Sequence, residues 1–270
     1  MNDGFKKFDL TGKTALITGG GTGLGYEMTK GLLQSGAKVM IAARRENVLK
    51  DAAEKLKKEL SVDTVLHHTV DLFDKGSVQA LVKHAQATMG GVDIFIGNAG
   101  VEFLQPIDNL EDSAIDQQIR ANLTANIELT RAFLPQMRQK KWGRFIYSSS
   151  IASEVGSAAD MFSVYGAAKS ALNAFARSVA AEGGPDGITA NSLVLGAFKT
   201  DMLVAHLNTL SDEARQQIEQ ALSCMTFVRR MGEPKELAGL VQLLASDAGS
   251  YLTGVCLPID GGITAAFRPG

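Results

Sequence analysis

Five residues, Thr14 to Thr18 (TALIT), run apolar and β-branched straight into Gly19-Gly20-Gly21-Thr22-Gly23-Leu24-Gly25. A short apolar run with no alternation is what a strand buried on both faces looks like. A helical pattern follows from about Leu24 to Ser35, and Gly36 stops it. Strand, glycine turn and helix in immediate succession permit few folds. Glycines let a backbone come close to a pyrophosphate, and the helix N-terminus offers free N–H groups and a partial positive charge. The spacing Gly19-xxx-Gly23-x-Gly25 differs from the commoner G-x-G-x-x-G, and a merely flexible turn would use the same residues.

The rest of the chain repeats the rhythm. Lys38 to Ala43 (KVMIAA) reads as the second strand, Thr64 to Val70 as the third and Gly91 to Gly97 as the fourth. Gly143 to Ser149 is the fifth, Ile188 to Leu195 the sixth and Gly254 to Ile259 the seventh. Helical patterns separate them: Glu46 to Leu60, Phe73 to Met89, Leu110 to Gln139, Phe162 to Gly183, and one opened by Gly232-Glu233-Pro234. Pro135 is expected to end or kink the helix that contains it. Such alternation argues an α/β chain with one doubly wound parallel sheet. No linker rich in Pro, Gly or Ser divides it, so residues 1–270 are expected to form a single domain. Only Gly196 to Arg229, with Met202, His206, Met225 and Phe227, breaks the rhythm. An insertion after a strand's carboxyl end lies over the expected site, so about 196–229 reads as a substrate lid, with His206 on its surface.

The ends of the strands carry the chemistry. A dinucleotide fold places an acid after the second strand to bind the ribose 2′-hydroxyl of NAD. Here that place holds Ala43, followed by Arg44 and Arg45. Two guanidiniums and no acid suit a 2′-phosphate, so NADP(H) is expected over NAD(H), although a solvated basic turn has the same composition. Asp71-Leu72 closes the third strand, where adenine would lie. The fourth ends in Asn98-Ala99-Gly100, a small turn suited to a flat cofactor. His67 and His68 point to opposite faces of their strand and cannot chelate one metal together. No metal site is expected.

Tyr165 and Lys169 lie four residues apart in an alanine-rich helical segment, hence on one face. A free phenol has a pKa of about 10, and a neighbouring ammonium is expected to lower it into working range for acid–base catalysis. A surface lysine beside a half-buried tyrosine would show the same spacing. The alanines of this helix, among them Ala167, Ala168, Ala174 and Ala176, suit either a helix-on-helix contact between copies or packing within the chain.

Composition closes off other classes. A net charge of -2 gives no case for nucleic acid or an anionic membrane. No apolar run is long enough to span a bilayer, and Met1 to Gly12 lacks a signal-peptide core. Cys224 and Cys256 form no metal spacing, which fits a reducing cytoplasm.

Taken in order, Thr18-Gly19-xxx-Gly23-Leu24-Gly25, Asp71-Leu72, Asn98-Ala99-Gly100, Asn122, Ser150, Tyr165-xxx-Lys169 and Asp260-Gly261-Gly262 resemble a classical short-chain dehydrogenase/reductase from Leu10 to about Ile263. The resemblance implies a Rossmann sheet of seven strands in the order 3-2-1-4-5-6-7. It implies hydride transfer between a secondary alcohol or ketone and the cofactor, most often in a dimer or tetramer. Tyr165 would pass the proton, Ser150 hold the substrate oxygen, Lys169 grip the nicotinamide ribose and Asn122 anchor a water. Gly19, Thr22, Gly23, Leu24, Gly25, Arg44, Arg45, Asp71, Leu72, Asn98, Ala99, Gly100, Tyr165, Lys169, Gly196, Phe198 and Thr200 would line the cofactor. Leu195-Gly196 departs from the family's Pro-Gly, Ser150 is one of three adjacent serines, and Ile151 to Val164 is slightly longer than in many members, so Glu154 and Met161 within it are expected to shape the substrate pocket. The glycine turn and Ala43-Arg44-Arg45 also resemble dienoyl-CoA reductases, which with enoyl-CoA reductases form the enzyme alternative. The start of the chain is similar to bacterial gluconate 5-dehydrogenase-like members, so a sugar acid is a further candidate substrate. A non-catalytic NADP-binding sensor on the same fold is the alternative from another class; it would have no use for Tyr165.

Overall fold

The computed structural model describes residues 6–156 and 161–265. Its centre is a seven-stranded parallel sheet in the order β3-β2-β1-β4-β5-β6-β7. The strands are β1 (Thr14–Thr18), β2 (Lys38–Ala43), β3 (Val65–Thr69), β4 (Ile94–Gly97), β5 (Gly143–Ser150), β6 (Ile188–Leu195) and β7 (Cys256–Ile259). Strands β1, β2 and β4 are mostly apolar because their alternate residues enter two different cores. Ala15 and Ile17 of β1 join Val39 and Ile41 of β2 on one face. Leu16, Met40 and Phe95 join Phe145 and Tyr147 on the other.

Helices cover both faces: α1 (Gly23–Gln34), α2 (Glu46–Leu60), α3 (Lys75–Met89), α4 (Asp112–Ile119), α5 (Ala125–Lys140), α6 (Ser163–Gly183), α7 (Asp201–Leu207), α8 (Asp212–Cys224) and α9 (Ala238–Ala245). Among the described residues none of them is long and apolar enough to cross a membrane. The expected helix from Leu110 to Gln139 is interrupted, but not at Pro135. A π-turn at Arg120–Thr124 separates α4 from α5, and α5 carries Pro135 on to Lys140. Pro135 and Arg131, whose carbonyl loses its i+4 partner, are both exposed, so water satisfies the freed group and the helix continues.

The alanines of α6 divide. Ala168, Ala176 and Ala180 are buried within the chain, while Ala167 and Ala174 stay exposed. The segment after β6 forms α7 and α8 as an excursion from the strand–helix rhythm. The side chains of Met202 and His206 lie outside the described residues, as does part of the Ile151–Val164 segment.

The sheet order reverses between β1 and its neighbours β2 and β4, which opens a crevice at their carboxyl ends. Thr18 and Asn98 tie the two sides together. The Thr18 hydroxyl accepts from the main-chain N–H of Asn98 and of Ala99, both at 3.1 Å. Asn98 in turn donates to the Thr18 carbonyl and accepts from the Ser148 hydroxyl.

Candidate active site and cofactor crevice

The glycine turn forms a cradle that side chains would fill. Gly19 sits at φ +70°, and a Cβ on Gly25 would lie 2.1 Å from the Gly19 carbonyl oxygen. Thr22 is the N-cap of α1 but makes no side-chain capping bond, and the first turn holds no acid. The first amides of α1 thus face the crevice with a partial positive charge and no internal competitor. That is the donor set a pyrophosphate needs. Thr200, 177 positions after Gly23, comes within van der Waals reach of it: its Cβ is 3.6 Å from where a Cβ on Gly23 would stand.

At the end of β2 the Arg44 guanidinium lies 5.6 Å from the Phe73 ring centroid, a cation–π contact that holds it at the sheet edge. Arg45 is the N-cap of α2. Asp71 is occupied locally, its carboxylate accepting from the Phe73 N–H at 3.0 Å. Leu72 packs against the core. Gly196 sits tight against the Asp260 backbone. Phe198 is a core residue whose ring packs on Gly232, so its side chain is not free to line a cofactor.

The second half of the site comes from α6. Lys169 is buried, and its ammonium donates to the Ser148 carbonyl at 2.7 Å. The same nitrogen lies 5.5 Å from the Tyr165 ring centroid. Helical spacing therefore does put the two groups on one side of α6. The three serines separate by register: Ser148 bonds Asn98, Ser149 donates to the Lys169 carbonyl, and Ser150 is the one whose hydroxyl acts on the Tyr165 phenol. Ser150 is thus the serine that shares the site with Tyr165. Asn122 sits in the π-turn, a feature that often marks functional positions. Its amide donates to the carbonyls of Val101 and Gln118, and its oxygen accepts from the Val101 N–H at 3.3 Å. The Asn122 side chain therefore clamps the loop after β4. Gly100 must be a glycine there, because a Cβ would stand 2.3 Å from the Asn122 oxygen and 3.4 Å from the Lys169 nitrogen.

The electrostatics correct one expectation. Tyr165 is not made more acidic in this crevice; its pKa is pushed up to about 12. Burial is the main cause, the Glu102 carboxylate adds to it, and the Ser150 hydrogen bond opposes both. Lys169 is lowered to about 8, again by burial, with Glu102 pulling the other way. The ammonium lies over the ring and against the Ser148 carbonyl, and burial outweighs it. At neutral pH the phenol therefore keeps its proton and the lysine its charge.

Glu102 is the residue that sequence reasoning missed. Its only signal was its place two residues beyond Gly100, on the loop that the fold turns toward α6. Its carboxyl is raised above the usual carboxylate range because the cleft walls desolvate it, although the residue as a whole stays exposed; Lys169 acts in the opposite direction.

The family model for short chain dehydrogenases matches residues 13–210. The chain belongs to the short-chain dehydrogenase/reductase family. It is 33% identical over 252 residues to the 3-oxoacyl-(acyl-carrier-protein) reductase FabG of Salmonella typhimurium, with 93% of this chain and 97% of that one covered. It is 31% identical over 267 residues to the D-beta-hydroxybutyrate dehydrogenase of Cupriavidus necator, with 95% and 99% covered. A gluconate 5-dehydrogenase from Burkholderia cenocepacia J2315, solved with NADP and tartrate, superposes with a TM-score of 0.87 at 29% identity, covering 98% of this chain and all of that one (100%). Members of this family are oxidoreductases that use a nicotinamide cofactor on alcohol and carbonyl groups, and the chain is an enzyme of that kind.

Proposed function

We propose that the chain interconverts a secondary alcohol and a ketone with NADP(H), using Tyr165 as the proton donor and acceptor. The observation that carries this reading is Tyr165 with Ser150 acting on its hydroxyl and the buried Lys169 nitrogen 5.5 Å from its ring, at the carboxyl edge of the glycine-lined crevice. The cofactor, when bound, supplies the hydride. Gly19, Thr22, Gly23 and Leu24 would hold its pyrophosphate with main-chain N–H groups, while Gly25 keeps the cradle open. Asn98, Ala99 and Gly100 would line its path, with Asp71 and Leu72 at the adenine. Lys169 gives one of its three N–H donors to Ser148 and would use the others on the ribose hydroxyls. Asn122 holds the Val101 loop in place, and the excursion at about 196–229 would close over the substrate. An enoyl-type reductase has no evident use for the Ser150–Tyr165 pair, and a sensor would need neither. Free Cys224 and Cys256 fit a reducing cytoplasm, and the exposed Ala167 and Ala174 fit a contact between copies in a homo-oligomer.

Two tests belong here. Arg44→Ala should weaken NADPH by roughly 10–100-fold while leaving NADH within about threefold, the range for losing a charge-assisted contact of ~1.5–3 kcal/mol. Cofactor titrations measure both, and equal losses would end the 2′-phosphate reading. The second is a pH profile. A phenol held up to about 12 is loaded as a proton donor at neutral pH, so carbonyl reduction should not gain from added base. Alcohol oxidation needs the phenolate, so its rate should keep climbing above neutral pH. Parallel kcat/KM profiles in the two directions would contradict this assignment.

A further inference from the structure

The carboxylate that acts on Tyr165 and Lys169 from outside α6 is that of Glu102, and the loop carrying it is held in place rather than loose. Its neighbours are pinned on both sides. Val101 is bonded through both its N–H and its carbonyl to the Asn122 side chain, and the Phe103 N–H donates to the Gln118 Oε1 at 3.2 Å. Asn122 and Gln118 are themselves buried. Gly100, two residues earlier, lies against the Lys169 nitrogen. No salt bridge pairs Glu102 with a cation among the described residues, although its charge acts on both Tyr165 and Lys169.

A groove of about 570 Å³ lies between the stretch at Gln105–Ile107, just beyond this loop, the segment after β5 and the start of α6. Ile107, Val155 and Met161 give it exposed apolar walls. Its one charged lining residue among those described is Glu154, which accepts from Asn173 at 3.1 Å. At Tyr165 the acting carboxylate is that of Glu102, while the one ammonium, Lys169, is already engaged with Ser148.

We propose that Glu102 is a specificity-determining residue, and that the site selects neutral or cationic ketones with a hydrogen-bond donor near the carbonyl and rejects those bearing a carboxylate there. This inference rests on the alcohol–ketone reading and narrows its substrate class. It sets the chain apart from the sugar acid that the similarity at its start brings to mind. A fixed carboxylate repels a substrate carboxylate several ångströms away and accepts a hydrogen bond from an amide or hydroxyl in the same place. In a half-solvated cleft that contrast amounts to about tenfold.

The experiment compares acetoacetamide with acetoacetate, which are nearly isosteric, in the NADPH-loaded enzyme and in its Glu102→Gln variant. We expect the wild type to favour the amide in kcat/KM by about tenfold or more. The variant should bring the ratio to within about threefold by gaining activity on acetoacetate, a gain that misfolding cannot produce. Equal activity on the pair in the wild type, or an unchanged ratio in the variant, overturns the inference and leaves the alcohol–ketone reading intact. The same pair is titrated into the loaded enzyme by NADPH fluorescence. Selective binding of the amide without turnover supports the selectivity and counts against the reaction; binding of neither, together with no turnover, overturns both.

Discussion

Tyr165→Phe is expected to remove turnover while NADPH still binds. The substitution deletes one oxygen from a side chain whose ring contacts remain, including the Phe162 ring with its centroid 5.7 Å away. The Ser150 hydroxyl keeps its bond from the Ala152 N–H at 3.2 Å. A positioned acid–base group contributes roughly 10²–10⁴-fold to the chemical step. The loss should appear in kcat, with the NADPH dissociation constant moved less than about threefold. Steady-state rates on any reduced ketone and a fluorescence titration of NADPH separate the two effects. Retention of more than about a tenth of the wild-type rate would mean that the proton travels by another group.

Gly25→Ala should cost cofactor binding and stability together. The added carbon would stand 2.1 Å from the Gly19 carbonyl oxygen and 2.7 Å from the Asn98 side-chain nitrogen. Neither neighbour can yield cheaply. Gly19 is backbone at the end of β1, and Asn98 is held by Thr18 and Ser148. Overpacking of a filled site costs about 1–3 kcal/mol, and here the strain falls on main-chain atoms. At ~2–4 °C per kcal/mol for a chain of this size, the melting temperature should drop by several degrees. The turn that presents the first amides of α1 must also shift, so NADPH affinity should fall by more than about tenfold. Calorimetry and cofactor titration test this. A variant with wild-type affinity would show that the turn does not hold the pyrophosphate.

Much of the frame was visible in the order of residues. Strands β1, β2 and β4 sit in the middle of a sheet covered on both sides, so their sequences are mostly apolar and stand out between helical patterns. The glycine turn and the four-residue step from Tyr165 to Lys169 are local, and local geometry follows from chain periodicity. Pro135 misled because its cost depends on whether water can reach the freed carbonyl, and it lies on the wet face of α5. The π-turn carries no local mark, and Glu102 reads in the sequence as one more loop acid. Thr200 beside Gly23 and Phe198 against Gly232 are contacts across long stretches of chain that no spacing announces.

The amino-acid order by itself determined which groups share one strand end or one helix face, because a backbone with fixed rise and twist sets those distances wherever it folds. The tertiary structure decided how acidic those groups are. The pKa of Tyr165 is fixed by how deeply α6 sits in the crevice and by a carboxylate delivered from the loop after β4. Desolvation and charge act through space, so they depend on elements far apart in the chain rather than on the step between neighbours.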